Sequence, residues 1–347
     1  MPRLFLLLFL FPFTISAQIT ITDSDMPAVD DVIVRAVADT FLQVDPTPTG
    51  SNYTWNFSNL NAIATQADTF QAFSAAPAVY TFVFFGAANR VISLNVNQGL
   101  GQLQLSDAYQ FFNVTTTGFF DAGFAGSVNG IPLPARYDVP DKIYQFPLSA
   151  NDTFSSSSTI DITIPNLVSY KSRVDRFTEV DGYGTLYLPG DTFDVLRVKS
   201  TVDQLDSLDV QGSPFPVAIP RQTIEYKWLA KGEGTPVLQI NQINVIGTGL
   251  TTQVLYKPGA NPPTSVNLPQ DPAWQLYPNV VSPGETMQFS GNAQGALHYN
   301  WINIAGQVVD RGATRATHLA VPALPKGWYW VQLWDDQQMK LVEVLVQ

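Results

Sequence analysis

The sequence predicts an all-β protein, with an antiparallel, β-sandwich-like main domain followed by a small C-terminal β-sandwich. Apolar residues come in short runs rich in Val, Ile, Thr, Phe and Tyr, and Gly, Pro, Asn and Asp separate those runs. No stretch carries the 3.6-residue apolar period of an amphipathic helix. The 347 residues are 45% apolar, enough for a sizeable core, and the 23 glycines and 25 prolines supply the turns.

Residues 1–17 read as a secretory signal peptide. Arg3 precedes an apolar run from Leu4 to Phe13, and small residues then lead to a cleavage site after Ala17. That run is about ten residues, where a membrane-spanning helix needs ~20. No later stretch is long enough, so the expectation after cleavage is an exported chain with no transmembrane segment.

Residues 18–256 form the expected main domain. The Phe-rich stretches "YTFVFFGAANRVISLNV" and "AYQFFNVTTTGFF" read as strands buried on both faces. In "RFTEVDGYGTLYLPGDTFDVLRVKS", Asp181-Gly182 suits a tight hairpin turn, and Pro189-Gly190-Asp191 suits a second turn into a third strand. "RQTIEYKWLAKGEGTPVLQINQINV" reads as a further hairpin about Gly232 and Gly234, and together these strands make an antiparallel meander. Residues 257–272, "KPGANPPTSVNLPQDP", contain five prolines, which no sheet interior tolerates, and mark a linker.

Residues 273–347 read as a chain of short strands. Val342, Val344 and Val346 alternate with Leu341, Glu343 and Leu345, while Tyr329, Val331 and Leu333 share one face of the strand before. Gly306 stands where a two-residue turn would need it. Tyr277-Pro278-Asn279, "WINIAGQVV", "LPKGWYWVQL" and "KLVEVLVQ" resemble, in order and spacing, the type A C-terminal sorting domain of the type IX secretion system of Bacteroidetes-type bacteria. The resemblance covers the tail from about Leu276 and rests on Tyr277, Pro278, Asn279, Gly306, Gly327, Tyr329, Val331, Lys340 and Val344. It implies passage through the periplasm and across the outer membrane, secretion machinery as a partner, and a destination outside the cell or on its surface. Val280 departs from the family, whose members often carry a second proline there. "VDGYGTLYLPGDTFDVLRVKS" followed by "EYKWLAKGEGTPVLQI" resembles a segment of uncharacterised secreted proteins that carry this tail, and implies no activity.

Composition narrows the chemistry. A net charge of −11 with 14% charged residues argues against nucleic acid and anionic membrane surfaces as partners. The absence of cysteine excludes disulfides, thiolate metal sites and a cysteine nucleophile. The two histidines, His298 and His318, both lie in the tail, which leaves the main domain without serine–histidine hydrolysis or the usual zinc sites. Carboxylate chemistry remains, with Glu179, Glu225 and Glu233 as the glutamates and Glu225 expected on a solvated face beside a cation.

Asp23, Asp25, Asp30 and Asp31 are candidate Ca²⁺ ligands, although "DSDMPAVDD" lacks the central glycine of a calcium loop. Tyr53, Trp55, Tyr226 and Trp228 are candidate rings for stacking on a glycan, although their alternation also fits a core stripe. The sequence reading is therefore a secreted or cell-surface binding or structural protein whose partner is a polysaccharide or a surface protein. The competing reading is a carboxylate-dependent enzyme that degrades extracellular polysaccharide.

Overall fold

The computed structural model describes residues 19–38, 44–94, 98–100, 103–164, 168–210, 217–245, 248–259, 274–291, 297–303, 308–315, 318–334 and 339–347. The signal peptide and most of the linker lie outside them, as does Gly306. In the main body the elements are β1 (Asp31–Ala38), β2 (Tyr53–Asn56), β3 (Ala62–Ala72), α1 (Ala78–Phe84), β4 (Arg90–Leu94), β5 (Gln98–Leu100), β6 (Leu103–Thr115), β7 (Gly118–Val128), β8 (Ile131–Gln145), β9 (Thr153–Ile164), β10 (Val168–Leu188), β11 (Asp191–Val210), β12 (Val217–Leu229), β13 (Leu238–Val245) and β14 (Thr248–Tyr256). The protein is all-β, as its short alternating runs predict.

All these strands belong to one 14-stranded sheet, ordered β2-β10-β11-β12-β13-β14-β1-β3-β4-β6-β7-β8, with β9 beside β10 and β5 beside β6. β10 to β13 form the expected antiparallel meander, and β14 extends it. The sheet curls on itself. Phe119 on β7 and Tyr144 on β8 share a core with Val180, Leu196, Val198 and Leu229 from β10, β11 and β12, strands remote in the sheet order. The facing layers expected of a sandwich are thus two parts of one curled sheet. Where β8 meets β9 no backbone ladder forms, and side chains bridge the seam: Asp138 Oδ1 accepts the Thr159 amide at 2.7 Å, and Ser156 donates to Asp141.

The turn expected at Asp181-Gly182 does not form. β10 runs through it with a bulge between Val180 and Gly182, and the reversal comes at Pro189-Gly190, where Leu188 pairs with Asp191. The glycines serve close approach instead. β2 lies parallel to β10, from Tyr53 beside Gly184 to Asn56 beside Tyr187. A Cβ on Gly184 would stand 2.0 Å from the Tyr53 carbonyl oxygen, and one on Gly182 would stand 2.4 Å from Thr49 Oγ1. At the bulge β10 exchanges β9 for β2 along one edge. The 44–62 segment then covers the outer face of the sheet. There Trp55 packs with Tyr226, Trp228, Leu238, Ile240 and Val254.

A second correction concerns "YTFVFF". Ala78–Phe84 is a helix, preceded by Pro77 and followed by Gly86 at φ +73°. Tyr80 and Phe84, four residues apart, face inward, and Phe84 stacks on Phe111 at 3.9 Å between ring centroids. Phe82 is left 86% exposed. The run is therefore not buried on both faces, and at two turns it is too short for a helical period to show in the sequence.

The tail consists of β15 (Trp274–Tyr277), β16 (Val280–Val281), β17 (Thr286–Gly291), β18 (Leu297–Asn303), β19 (Val308–Thr314), β20 (His318–Ala320), β21 (Gly327–Trp334) and β22 (Met339–Val346). Sheets β15-β17-β20 and β16-β22-β21-β18-β19 share one core, in which Leu276, Met287 and Leu319 meet Trp301, Val331, Leu333, Val344 and Val346. The alternation read from the last two strands places the inward residues correctly.

Gly184→Ala is expected to destabilise the chain by about 3 kcal/mol or more, because backbone stands where its Cβ must go. Gly232→Ala, at φ +70° with nothing within 4 Å, is expected to cost only ~1 kcal/mol. Urea unfolding of the two variants checks the contrast.

Candidate functional site

The concave face of the main body holds charge where a small β-domain would hold hydrocarbon. On β12, Glu225 and Lys227 alternate with Tyr226 and Trp228, so when the outer face takes the aromatic rings the inner face takes the ions. Arg176 on β10 reaches Glu225 Oε2 with Nη1 at 2.7 Å and Asp141 Oδ2 on β8 with Nε at 2.9 Å. Lys227 Nζ donates to the same Glu225 oxygen at 2.7 Å. Thr178 and Ser200, hydrogen-bonded at 2.8 Å, flank this group with small side chains and leave the guanidinium room. Two cations and two anions balance.

The electrostatics follow from burial and pairing. Burial alone would raise Glu225, but Lys227 and Arg176 hold it down to about 2. Burial lowers Lys227 despite Glu225, and for Arg176 the attraction of Glu225 and Asp141 outweighs burial and raises it. Nearby, Arg35 pairs with Asp68, which also accepts Gln66 Nε2 at 3.0 Å.

Asp121 on β7 behaves differently. Burial pushes it up to about 6, with Asp141 adding to the rise, and the Gly123 amide and the Gln110 side chain offset this only in part. Its Oδ1 accepts from Gln110 Nε2 at 2.6 Å and from the Gly123 amide at 2.8 Å. Among the described residues it forms no ion pair, and the attraction of Arg176 offsets the rise least of all. Sequence reasoning missed Asp121, Asp141 and Arg176, because only the curl brings β7, β8 and β10 together.

The sequence-predicted residues fall into separate places. Glu225 is in this interior, not on a solvated face, while Glu179 sits on the other side of the sheet with Lys199 at 2.9 Å. The sheet separates them, so they do not flank one bond as a glycosidase pair would. Trp55, Tyr226 and Trp228 are buried in the outer core, with the Trp55 and Trp228 rings 6.1 Å apart and Arg197 4.9 Å from the Tyr226 ring. Tyr53 packs half-buried on Trp55 at 5.0 Å. Trp55, Tyr226 and Trp228 are corrected from glycan platform to core, since buried faces have no room for a sugar, and Tyr53 packs at the edge of that core.

The proposed calcium ligands lie in turns, with Asp23 opening a 3₁₀ turn over Asp23–Asp25. Asp25 accepts the Thr22 and Gly232 amides at 2.8 and 3.0 Å, Asp31 accepts the Ala28 amide at 2.7 Å, and Asp30 takes φ +71° in the turn. Among the described residues no three His, Cys, Asp or Glu side chains are grouped to hold a metal ion.

In the tail, the Asn279 carbonyl accepts the Leu345 amide at 2.8 Å and so starts the parallel pairing of β16 with β22. Tyr277 is exposed, and Gly327 opens β21. Tyr329 donates its hydroxyl to the Pro325 carbonyl at 2.8 Å, Val331 and Val344 are buried, and Lys340 lies in β22.

Among the described residues no helix is long and apolar enough to cross a membrane. No family model matches the chain, and no curated protein matches it. A solved structure described as "Structural basis for Dscam isoform specificity" aligns over 92% of this chain and 99% of that one, at 9% identity and a TM-score of 0.17. That likeness is too low to relate the two folds.

Arg176→Met would leave the buried Asp141 without its cation and Glu225 with Lys227 alone, and a loss of about 3–5 kcal/mol is expected in denaturant unfolding at pH 7. Two opposed pH effects are also expected. Glu225, depressed to about 2, contributes stability that is present above its unfolded value near 4.5 and lost as pH falls toward 2. Asp121, raised to about 6, favours the folded state below its unfolded value near 3.8, and that contribution is lost as pH rises through 6. Asp121→Asn is therefore expected to be more stable than the parent at pH 8 by about 2–3 kcal/mol, and unchanged at pH 4, in unfolding measured at both values.

Proposed function

We propose that this chain is an exported binding or structural protein that acts outside the cell or on its surface. Its C-terminal sandwich serves as the sorting domain read by a type IX secretion machinery. The observation that carries the reading is the place of β22, which lies between β16 and β21 and supplies Val344 and Val346 to the core of the tail. A machine that reads a folded shape needs such a self-sufficient unit. The tail's core is distinct from the three cores of the main body, in keeping with a signal separable from its cargo.

A non-catalytic role for the main body is supported by its ion pairs. Glu225 and Asp141 are committed to Arg176, Glu179 to Lys199 and Glu233 to Lys257. With neither histidine nor cysteine between residues 18 and 256, the remaining polar inventory suits recognition or support.

Ending the chain after Pro272 is expected to leave the protein in the periplasm of a host with this machinery, while the full chain appears in the medium or on the surface. Fractionation and immunodetection read the difference. Undiminished export of the shortened chain would sink the sorting role.

A further inference from the structure

The helix α1 is apolar on both of its sides. Tyr80 and Phe84 fill a core on one side, while Val79, Phe82 and Phe85, three residues apart, form a stripe on the other that is 47%, 86% and 78% exposed. A short helix that buries one apolar face and leaves a second in water lacks a cover for the second. Its polar side chains do not serve that surface. Tyr80 donates its hydroxyl to the Gly126 carbonyl at 2.7 Å, and Thr81 donates to the Ala78 carbonyl at 3.1 Å.

The surroundings are uncharged as well. The chain carries no Asp, Glu, Lys, Arg or His from Thr69 to Asn89. The exposed residues beside the stripe include Ser74, Ala75, Pro77, Ala78 and Gly86. A cation stands at its edge: Arg136 on β8 is exposed and donates from Nη1 to the Val83 carbonyl at 3.0 Å, near the C-terminal end of α1.

We propose that this stripe docks on a lipid surface of zwitterionic headgroups, with Val79, Phe82 and Phe85 entering the acyl boundary and Arg136 meeting a lipid phosphate. Area and charge select this occupant. Two phenylalanines and a valine at these exposures present roughly 400 Å², about half of the ~800 Å² per partner that a stable protein interface takes. A second copy would also bring a like charge of −11 against this one. The charged rim of another protein would find nothing to pair with between residues 69 and 89. A lipid surface needs neither a large complementary patch nor a charged rim, because a few apolar side chains leaving water suffice. The net charge then sets the headgroup class. An anionic surface repels the chain, whereas a zwitterionic one offers phosphate to Arg136 without net repulsion. The proposal rests on the reading of an exported surface protein only for where the lipid is met. Vesicle binding and export are measured separately, and either can fail without the other.

The test is flotation of the purified chain from Gln18 to Gln347, which lacks the apolar run Leu4 to Phe13, with unilamellar vesicles of phosphatidylcholine. Vesicles that also contain phosphatidylglycerol run in parallel. Half of the protein is expected to be bound at or below about 1 mM phosphatidylcholine, with weaker binding to the anionic vesicles at low salt. Phe82→Ser and Phe85→Ser are each expected to weaken binding about tenfold or more. Both should keep the parent's thermal midpoint, because the rings they remove are exposed. Arg136→Gln is expected to weaken binding about three- to tenfold. Phe177→Ser serves as the control and should bind as the parent does. That ring is 48% exposed on β10, with Asp175 and Glu179 two residues to either side on the same face of the strand.

Absence of binding to phosphatidylcholine overturns the proposal, as does unchanged binding by a folded Phe82→Ser protein or an equal loss in Phe177→Ser. Tighter binding to the anionic vesicles overturns the headgroup class. Self-association of the parent in sedimentation velocity, lost in Phe82→Ser and unaccompanied by vesicle binding, overturns the lipid in favour of a second copy. If the thermal midpoint of Phe82→Ser falls, Phe85→Ser and Val79→Ser decide.

Discussion

The contact between Arg176 and Asp141 is the interaction on which the main body depends. β8 and β9 do not pair through their backbones, so the curl of a 14-stranded sheet is completed by side chains, and Arg176 on β10 reaches over β9 to a carboxylate on β8. Each ion taken alone would lose several kcal/mol of hydration. Two guanidinium bonds to Asp141, one to Glu225 and a further lysine offset that loss, and they do so only while the strands stay where they are. The network therefore disfavours alternative packings more than it adds net stability.

The outer face is governed by a different constraint, the closeness of two backbones. Gly182 and Gly184 let the 47–56 segment lie directly on β10, and that contact positions Trp55 to meet Trp228. Arg197 is buried in the same layer. Its guanidinium is held by the Pro48 carbonyl and Asp181 and lies near the Tyr226 and Trp228 rings. The two-residue alternation of β12 thus gives Tyr226 and Trp228 to the outer core and Glu225 and Lys227 to the inner ion network, which lies beside a second apolar core that holds Val198 and Leu229.

The tail follows simpler rules. Its inward residues are apolar, its outward ones mixed, and its two sheets close on a single core. This is why its strands and buried faces could be read directly. The same reading faltered in the main body wherever a residue's meaning came from a distant neighbour. Asp181-Gly182 looked like a turn because the strand that lies against it is some 130 residues away, as the Thr49–Asp181 contact shows. "YTFVFF" looked like a strand because two helical turns leave too little periodicity to recognise.

The sequence by itself determined the all-β character, the meander from β10 to β13, the alternating faces of β21 and β22, and the absence of cysteine and histidine chemistry from the main body. These are properties of local pattern and composition, and short-range sterics and burial decide them. Only the tertiary structure decided that the sheet curls, that Glu225 is an interior ion and Trp228 an interior ring, and that burial raises Asp121. Strand alternation states which residues share a face, but not what covers that face, because the covering element comes from a remote part of the chain.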